Sequence, residues 1–287
     1  MKIAVIFSPA SGHPYAELRD FAREAERSGF ESFWVSDHFF GGKEGVPDRD
    51  CLEAWTLLAA LARDTQRIRL GVLVTAAQYR NPALLAKIVA GVDQMSDGRV
   101  EFGIGAGWKE EEYRAYGYEF QPAGARVEQL KDTLEICVRL WTQDRATYHG
   151  KHYRIDDAVC APKPAQKPHV PIWVGGARER VMRLGARYAD GFDLGRRDRG
   201  GGPIALDGLR EAMGDVDAAC AAVKRERRLQ RSHWSPVELT DDASVRAAVE
   251  TLIGYSSLGL DRFIFAFPRE RAGEMIRRAG EKVLPAL

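Results

Sequence analysis

Phe33-Trp34-Val35-Ser36-Asp37-His38 is an apolar, strand-forming segment that stops abruptly at an acid and an imidazole. Aromatic and β-branched residues favour strands, and Gly29 marks the end of the helical pattern before them. A buried strand has no reason to finish in Asp-His unless those side chains face water, a ligand or a partner. Carboxylate beside imidazole is also the pairing that holds a proton near neutral pH. On this segment alone, a helix cap or a satisfied loop pair competes evenly with a functional site. The rest of the chain decides between them.

Outward from that segment, short apolar strands alternate with amphipathic helices. Lys2 to Phe7 is the first strand, with a helix near Tyr15 to Ser28. After the strand ending at Asp37, a helix around Glu53 to Arg63 puts Ala54, Leu57, Leu58 and Leu61 on one face. The third strand, Ile68 to Thr75, precedes a helix carrying Leu84, Leu85, Ile88, Val92 and Met95. The fourth, Val100 to Ile104, is followed by a helix with Val127, Leu130, Leu134, Val138 and Trp141 at helical spacing. A stretch without helical pattern, about 142–171, interrupts the alternation with a hairpin-like run, Tyr148 to Tyr153, and four prolines. Four more units follow. Their strands are Pro171–Val174, Phe192–Leu194, roughly Trp234–Leu239, and Arg262–Phe267; their helices are Arg178–Tyr188, one within Leu206–Arg227, Asp242–Tyr255 and Arg269–Val283.

Eight strand-helix units in 287 residues predict an α/β fold of the (β/α)8 TIM-barrel type, with an insertion after the fourth helix. A doubly wound sheet uses fewer units and places a glycine fingerprint after its first strand, where this chain has Ser8-Pro9-Ala10-Ser11-Gly12. One domain over 1–287 is expected, the insertion at about 142–171 included. With 45% hydrophobic residues the core can be large, and a net charge of +1 gives no case for nucleic acid or an anionic membrane. The N-terminal apolar run is too short for a signal peptide or a membrane span. Cys51, Cys137, Cys160 and Cys220 form no zinc-like cluster and are expected to be reduced, so no metal is expected. A soluble cytoplasmic protein, a homodimer acting on a small molecule, is the expectation.

In such a barrel function collects at the carboxyl ends of the strands. There lie Asp37-His38, then Ala76 to Asn81, then Gly105-Ala106-Gly107-Trp108, then Gly175-Gly176-Ala177-Arg178. The last group has the clearest mechanics. A buried strand, two glycines and an immediate helix start aim amide hydrogens and a helix dipole at one place, which suits a phosphate, and Arg178 adds a bidentate cation. Two glycines alone would favour a plain tight turn by about two to one. Gly103-Ile104-Gly105-Ala106-Gly107 lacks the acidic partner of a nucleotide fingerprint and reads as a strand end approached closely by a flat ligand. His149 and His152 read as solvated hairpin residues without acidic or cysteine partners, and Lys224 to Arg228 as a solvated helix end. No GxSxG nucleophile elbow occurs.

With these loops placed, the sequence resembles the luciferase-like superfamily of flavin and deazaflavin oxidoreductases, most closely its coenzyme F420-dependent branch. The resembling segments are Ser36 to Phe39, Ile68 to Thr75, Tyr79 to Lys87, Asp93 to Arg99, Gly103 to Trp108 with Glu112-Tyr113, Leu140-Trp141 and Ala186 to Gly191. Each is weak alone; in family order over nearly the whole chain they are strong. The resemblance implies that Asp37 contacts the deazaflavin and that His38 is a proton donor or substrate contact. It implies a non-proline cis peptide at Leu73-Val74 against the cofactor ring, and backbone contacts from Ala76, Ala106 and Gly107. Gly175, Gly176, Ala177, Arg178 and Glu179 match the phosphate-binding loop. Members that oxidise a sugar phosphate carry an acid where this chain has Trp108, which points to a more apolar substrate. The charged, glycine-rich segment 196–203 is expected to be a lid or a disordered loop.

The resulting expectation is an oxidoreductase transferring a hydride at C5 of coenzyme F420, with His38 as the proton-handling residue. A two-component monooxygenase using reduced FMN and oxygen is the first alternative. A barrel that binds cofactor without turnover is the second.

Overall fold

A computed structural model describes residues 1–41, 49–195 and 204–287. Segment 196–203, the expected lid, therefore lies outside the described residues. In chain order the described strands are β1 (Lys2–Phe7), β2 (Ser32–Val35), β3 (Arg69–Ala76), β4 (Val100–Gly105), β5 (Ala146–His149), β6 (Arg154–Ala158), β7 (Ile172–Gly175), β8 (Gly191–Asp193), β9 (Gln230–Pro236) and β10 (Arg262–Ala266). All but β5 and β6 run parallel and close a barrel in the order β1-β10-β9-β8-β7-β4-β3-β2. The helices are α1 (Tyr15–Arg27), α2 (Ala54–Asp64), α3 (Pro82–Met95), α4 (Glu110–Ala115), α5 (Ala123–Thr142), α6 (Glu179–Tyr188), α7 (Leu206–Ala222), α8 (Asp242–Ser257) and α9 (Ala272–Arg278). The expected (β/α)8 barrel is what the chain forms.

Alternation along the strands sorts side chains into two cores. Val5, Phe33, Val72, Phe102, Val174, Phe192, Phe263 and Phe265 point outward into the helix layer. Ala4, Trp34, Leu73, Trp173 and Ile264 fill the barrel interior. The two interior tryptophans meet edge to face at 6.2 Å. Each lies in register beside a glycine, Trp34 beside Gly71 and Trp173 beside Gly191. A Cβ at either glycine would lie 2.3–2.4 Å from the indole, so only glycine admits rings of this size there.

At the amino ends of the strands the interior is charged. Arg262, 1% exposed, donates to Glu101 at 2.7 and 2.9 Å and to Glu31 at 2.9 Å. Arg69 adds a third bond to Glu101 at 2.6 Å, and the Arg262 guanidinium lies 4.4 Å from the Trp173 ring centre. Burial alone would lower the Arg262 pKa, but Glu101 and Glu31 outweigh it and raise it. This closed, ion-paired floor is opposite the loops that carry the candidate residues.

Several boundaries differ from the sequence expectation. Strand β9 starts four residues before the expected Trp234, because its polar residues Arg231, Ser232 and His233 are buried. The expected terminal helix, Arg269 to Val283, is a short 3-10 turn, α9 and a π turn in succession. The insertion is a hairpin that is longer than expected, and its turn is tied to α5. There the carboxylate of Asp132 accepts from Tyr148 Oη at 2.8 Å and from the amides of His152 and Tyr153 at 2.8 and 3.2 Å. Helix α4, a single short turn after β4, carries no apolar period and was not anticipated.

Candidate active site

A cleft of ≈ 820 Å³ opens at the carboxyl ends of the barrel strands, within the size range of small-molecule sites. Asp37, His38, Leu73, Val74, Ala76, Ala106, Gly107, Gly175, Gly176, Ala177 and Arg178 all line it. Glu179 does not. It is the first residue of α6, exposed, and pairs along the helix with Arg183 at 2.6 Å. A second concavity of ≈ 660 Å³ lies between α8 and β9–β10, lined mostly by Phe263, Phe265, Phe267, Leu252 and alanines. With Glu238 as its one charged lining residue, it lacks the acid-base groups of the first.

The floor of the cleft is set by β3. The Leu73-Val74 peptide is cis, and the pairing of β3 with β4 shifts register between Val72 and Thr75. Val74 projects between β4 and β7, which both carry glycine at that level. A Cβ on Gly105 would sit 2.7 Å from Val74 Cγ2, and one on Gly175 would sit 2.9 Å from Val74 Cγ1. The GxGxG run is thus explained first by the neighbouring strand, since Gly103 would likewise strike the Val72 carbonyl at 2.1 Å. What remains is a floor with no side chain rising on either side of Val74.

The partner of His38 is not its neighbour Asp37. Successive side chains at a strand end diverge, and Asp37 turns to Arg80, whose guanidinium donates to both carboxylate oxygens at 2.8 and 2.9 Å. Asp37 also accepts from the Ala76 amide at 3.1 Å, and Arg80 reaches on to Glu53, the cap of α2. This pair fixes the end of β2 to the loop after β3. His38 Nδ1 meets Glu112 of α4 at 3.0 and 3.1 Å.

Glu112 is fully buried and accepts in addition from the Phe39 amide at 3.0 Å, Tyr79 Oη at 2.7 Å and Lys109 Nζ at 3.3 Å. Burial would raise its pKa, but the hydrogen bond and charge of His38, followed by the bonds from Tyr79 and Phe39, hold it down at about 2. The Tyr79 phenol is pushed far up, by burial first and by Glu112 next. An ionised carboxylate only accepts, so Nδ1 carries the proton that bonds Glu112, and Nε2 makes no bond among the described residues. Trp108 stands edge-on to this imidazole, 5.7 Å between ring centres, and is 72% exposed at the mouth. Cys51 Sγ lies 3.2 Å from the His38 carbonyl, but burial pushes its thiol up to about 11, which removes it as a nucleophile.

At the other end the chain leaves β7 through Gly176, whose φ of +150° suits glycine, and enters α6 with Arg178 at the N-cap. The first-turn amides of a helix have no acceptor within it. Lys109, Arg126, Arg178 and Arg269 also border the cleft, giving it a basic rim.

Glu112, Arg80 and Asp193, all of which meet the cleft or its residues, were not among the expected site residues. Glu112 sits in the acidic run Glu110-Glu111-Glu112, which reads as a solvated first turn, and only the following Tyr113 hints at burial. His149 and His152 do have acidic neighbours, Asp156 at 2.5 Å and Glu128 at 3.3 Å, but these pairs lie at the hairpin surface. No group of three metal-ligating side chains occurs among the described residues. Arg225 and Arg228 of the basic run bond to the Ala186 and Gly259 carbonyls at 2.8 and 2.7 Å, a structural use. No helix among the described residues is long and apolar enough to cross a membrane.

Comparison with known proteins supplies the context. The family model described as luciferase-like monooxygenase matches residues 2–277. An F420-dependent glucose-6-phosphate dehydrogenase of Microbacterium testaceum is 28% identical, covering 94% of this chain and 93% of its own length. An FMNH2-dependent dimethylsulfone monooxygenase of Pseudomonas putida is 29% identical over 204 residues, covering 71% of this chain and 53% of its own. Among solved structures, an F420-dependent secondary alcohol dehydrogenase in complex with an F420-acetone adduct superimposes with a TM-score of 0.82 at 19% identity, over 99% of this chain and 98% of that one.

Proposed function

We propose that this oxidoreductase, which belongs to the luciferase-like monooxygenase family, uses coenzyme F420 to exchange a hydride with a small organic substrate. The observation that carries the proposal is the pairing, in one cleft, of a flat floor around Val74 with a histidine held by a buried carboxylate. The floor between Gly105 and Gly175 fits a planar ring, and the turn from Gly175 to Arg178 with its basic rim fits a phosphate. Val74, Ala76, Ala106 and Gly107 would hold the ring, and Gly175, Gly176, Ala177 and Arg178 the phosphate. Asp37 acts through Arg80, keeping the loop beside the ring in place. Bound there, F420 supplies hydride chemistry at C5 of its deazaflavin.

The chain itself supplies the proton chemistry. With Nδ1–H committed to Glu112, His38 offers Nε2 to a substrate hydroxyl and accepts its proton as the carbon is oxidised. The ionised Glu112 then stabilises the imidazolium, and in the reverse direction the same nitrogen returns the proton. Buried Tyr79 and the Phe39 amide keep Glu112 from rotating away.

The Microbacterium relative is a sugar-phosphate dehydrogenase, yet this chain has Trp108 where the resemblance assigns an acid to such enzymes. We therefore assign a less polar substrate that packs beside the Trp108 indole. The second reading, an FMN-dependent monooxygenase, draws on the Pseudomonas putida relative. Anaerobic turnover separates the two. With a panel of small secondary alcohols, the protein should bleach the F420 absorbance in the absence of oxygen. Product formation that needs both reduced FMN and oxygen, with no F420 reduction by any donor, would give the assignment to the monooxygenase.

A further inference from the structure

Three carboxylates line this cleft or bond His38, and two face a permanent cation: Asp37 faces Arg80, and Glu112 faces Lys109. The third is Asp193, the last residue of β8, which lines the cleft and is 3% exposed. Its Oδ1 accepts the Gly195 amide at 2.9 Å and its Oδ2 accepts the Ser232 hydroxyl at 2.7 Å. No cation lies within ion-pair distance among the described residues. Asp193 is in register with Gly175 on β7, the glycine that flanks Val74, so its carboxyl borders the flat floor.

Resting on the cofactor reading above, we propose that Asp193 is a proton-exchanging contact of the bound cofactor, meeting the polar edge of its ring as a neutral acid. A carboxylate can only accept, and would oppose the ring carbonyls and the anionic tail; the neutral acid donates. Burial pushes this carboxyl up to about 6, against the bonds from Ser232 and Gly195 and the charge of Arg262. Arg262, the charged group acting on it from β10, is already held by Glu101 and Glu31. From β9 come Ser232 and His233, whose Nδ1 lies 3.0 Å from the Gly195 carbonyl; β7 contributes Gly175. A ring laid over the floor removes the remaining water and raises the carboxyl further.

The sign follows. Binding takes up a proton, so affinity is full below about pH 6 and falls as pH rises past that value, by up to about tenfold per unit. The experiment is a fluorescence titration of F420 into wild type, Asp193→Asn and Ser232→Ala from pH 5 to 9, repeated with FMN. Asp193→Asn, neutral at every pH and still a donor, should lose the pH-dependent fall. Ser232→Ala, which removes a bond to the ionised form, should begin its fall at higher pH. Titration of the cofactor itself enters all three curves alike. An Asp193→Asn curve with the wild-type slope, or a wild-type curve without any slope, would overturn the proposal. Failure of wild type to bind either cofactor at any pH would overturn the functional reading, and this proposal with it.

Discussion

His38→Ala should lose turnover by about 10²–10⁴-fold, the usual contribution of a general acid-base group, while F420 affinity changes by no more than a few-fold. The expectation follows from where the ring is held. Its Nδ1 is bound to Glu112 and its Nε2 is the atom left for substrate, whereas the cofactor is held by backbone around Val74 and the turn at Gly175. If His38 only supports the loop after β2, the variant would instead lose thermal stability and cofactor affinity together, and bound enzyme would turn over normally. Affinity and single-turnover rate measured on the same variant separate these outcomes. Equal losses in both would end the catalytic assignment.

Arg262→Ala should lower folding stability by about 3–5 kcal/mol, because it breaks a buried ion pair and leaves Glu101 with Arg69 as its one remaining cation. Glu101 is 3% exposed and takes two of its bonds from Arg262. For a chain of this size the melting temperature should drop by on the order of 10 °C, read by thermal or urea unfolding. A loss under about 1 kcal/mol would show that water or Arg69 can replace the guanidinium and that the floor is not a sealed ion cluster.

The barrel was legible because strand and helix periods alternate in the sequence, and alternation is a local property. What sits inside the barrel was not. Arg262 and Glu101 look like the polar ends of ordinary strands, and only closure brings them together with Glu31. The His38 region shows the same limit at finer scale. Adjacency suggested that Asp37 serves the imidazole, but the pleat turns neighbours apart. The true partner, Glu112, lies 74 residues away on a helix too short to show a period. The glycine turn before α6 is legible because its geometry is local, and it lines the cleft, although Glu179 falls outside it. The cis peptide at Leu73-Val74 came from family resemblance alone, since neither residue is a turn former. Asp193 gave no signal, because one acid at the end of a three-residue strand resembles any loop polar group.

The central claim is that this cleft is built for the deazaflavin. Parallel equilibrium titrations of the purified protein with F420 and with oxidised and reduced FMN test it most directly. The account predicts saturable 1:1 binding of F420 that is tighter than either form of FMN by about tenfold or more, a difference of roughly 1.4 kcal/mol. Saturable binding of FMN with no measurable binding of F420 would contradict it.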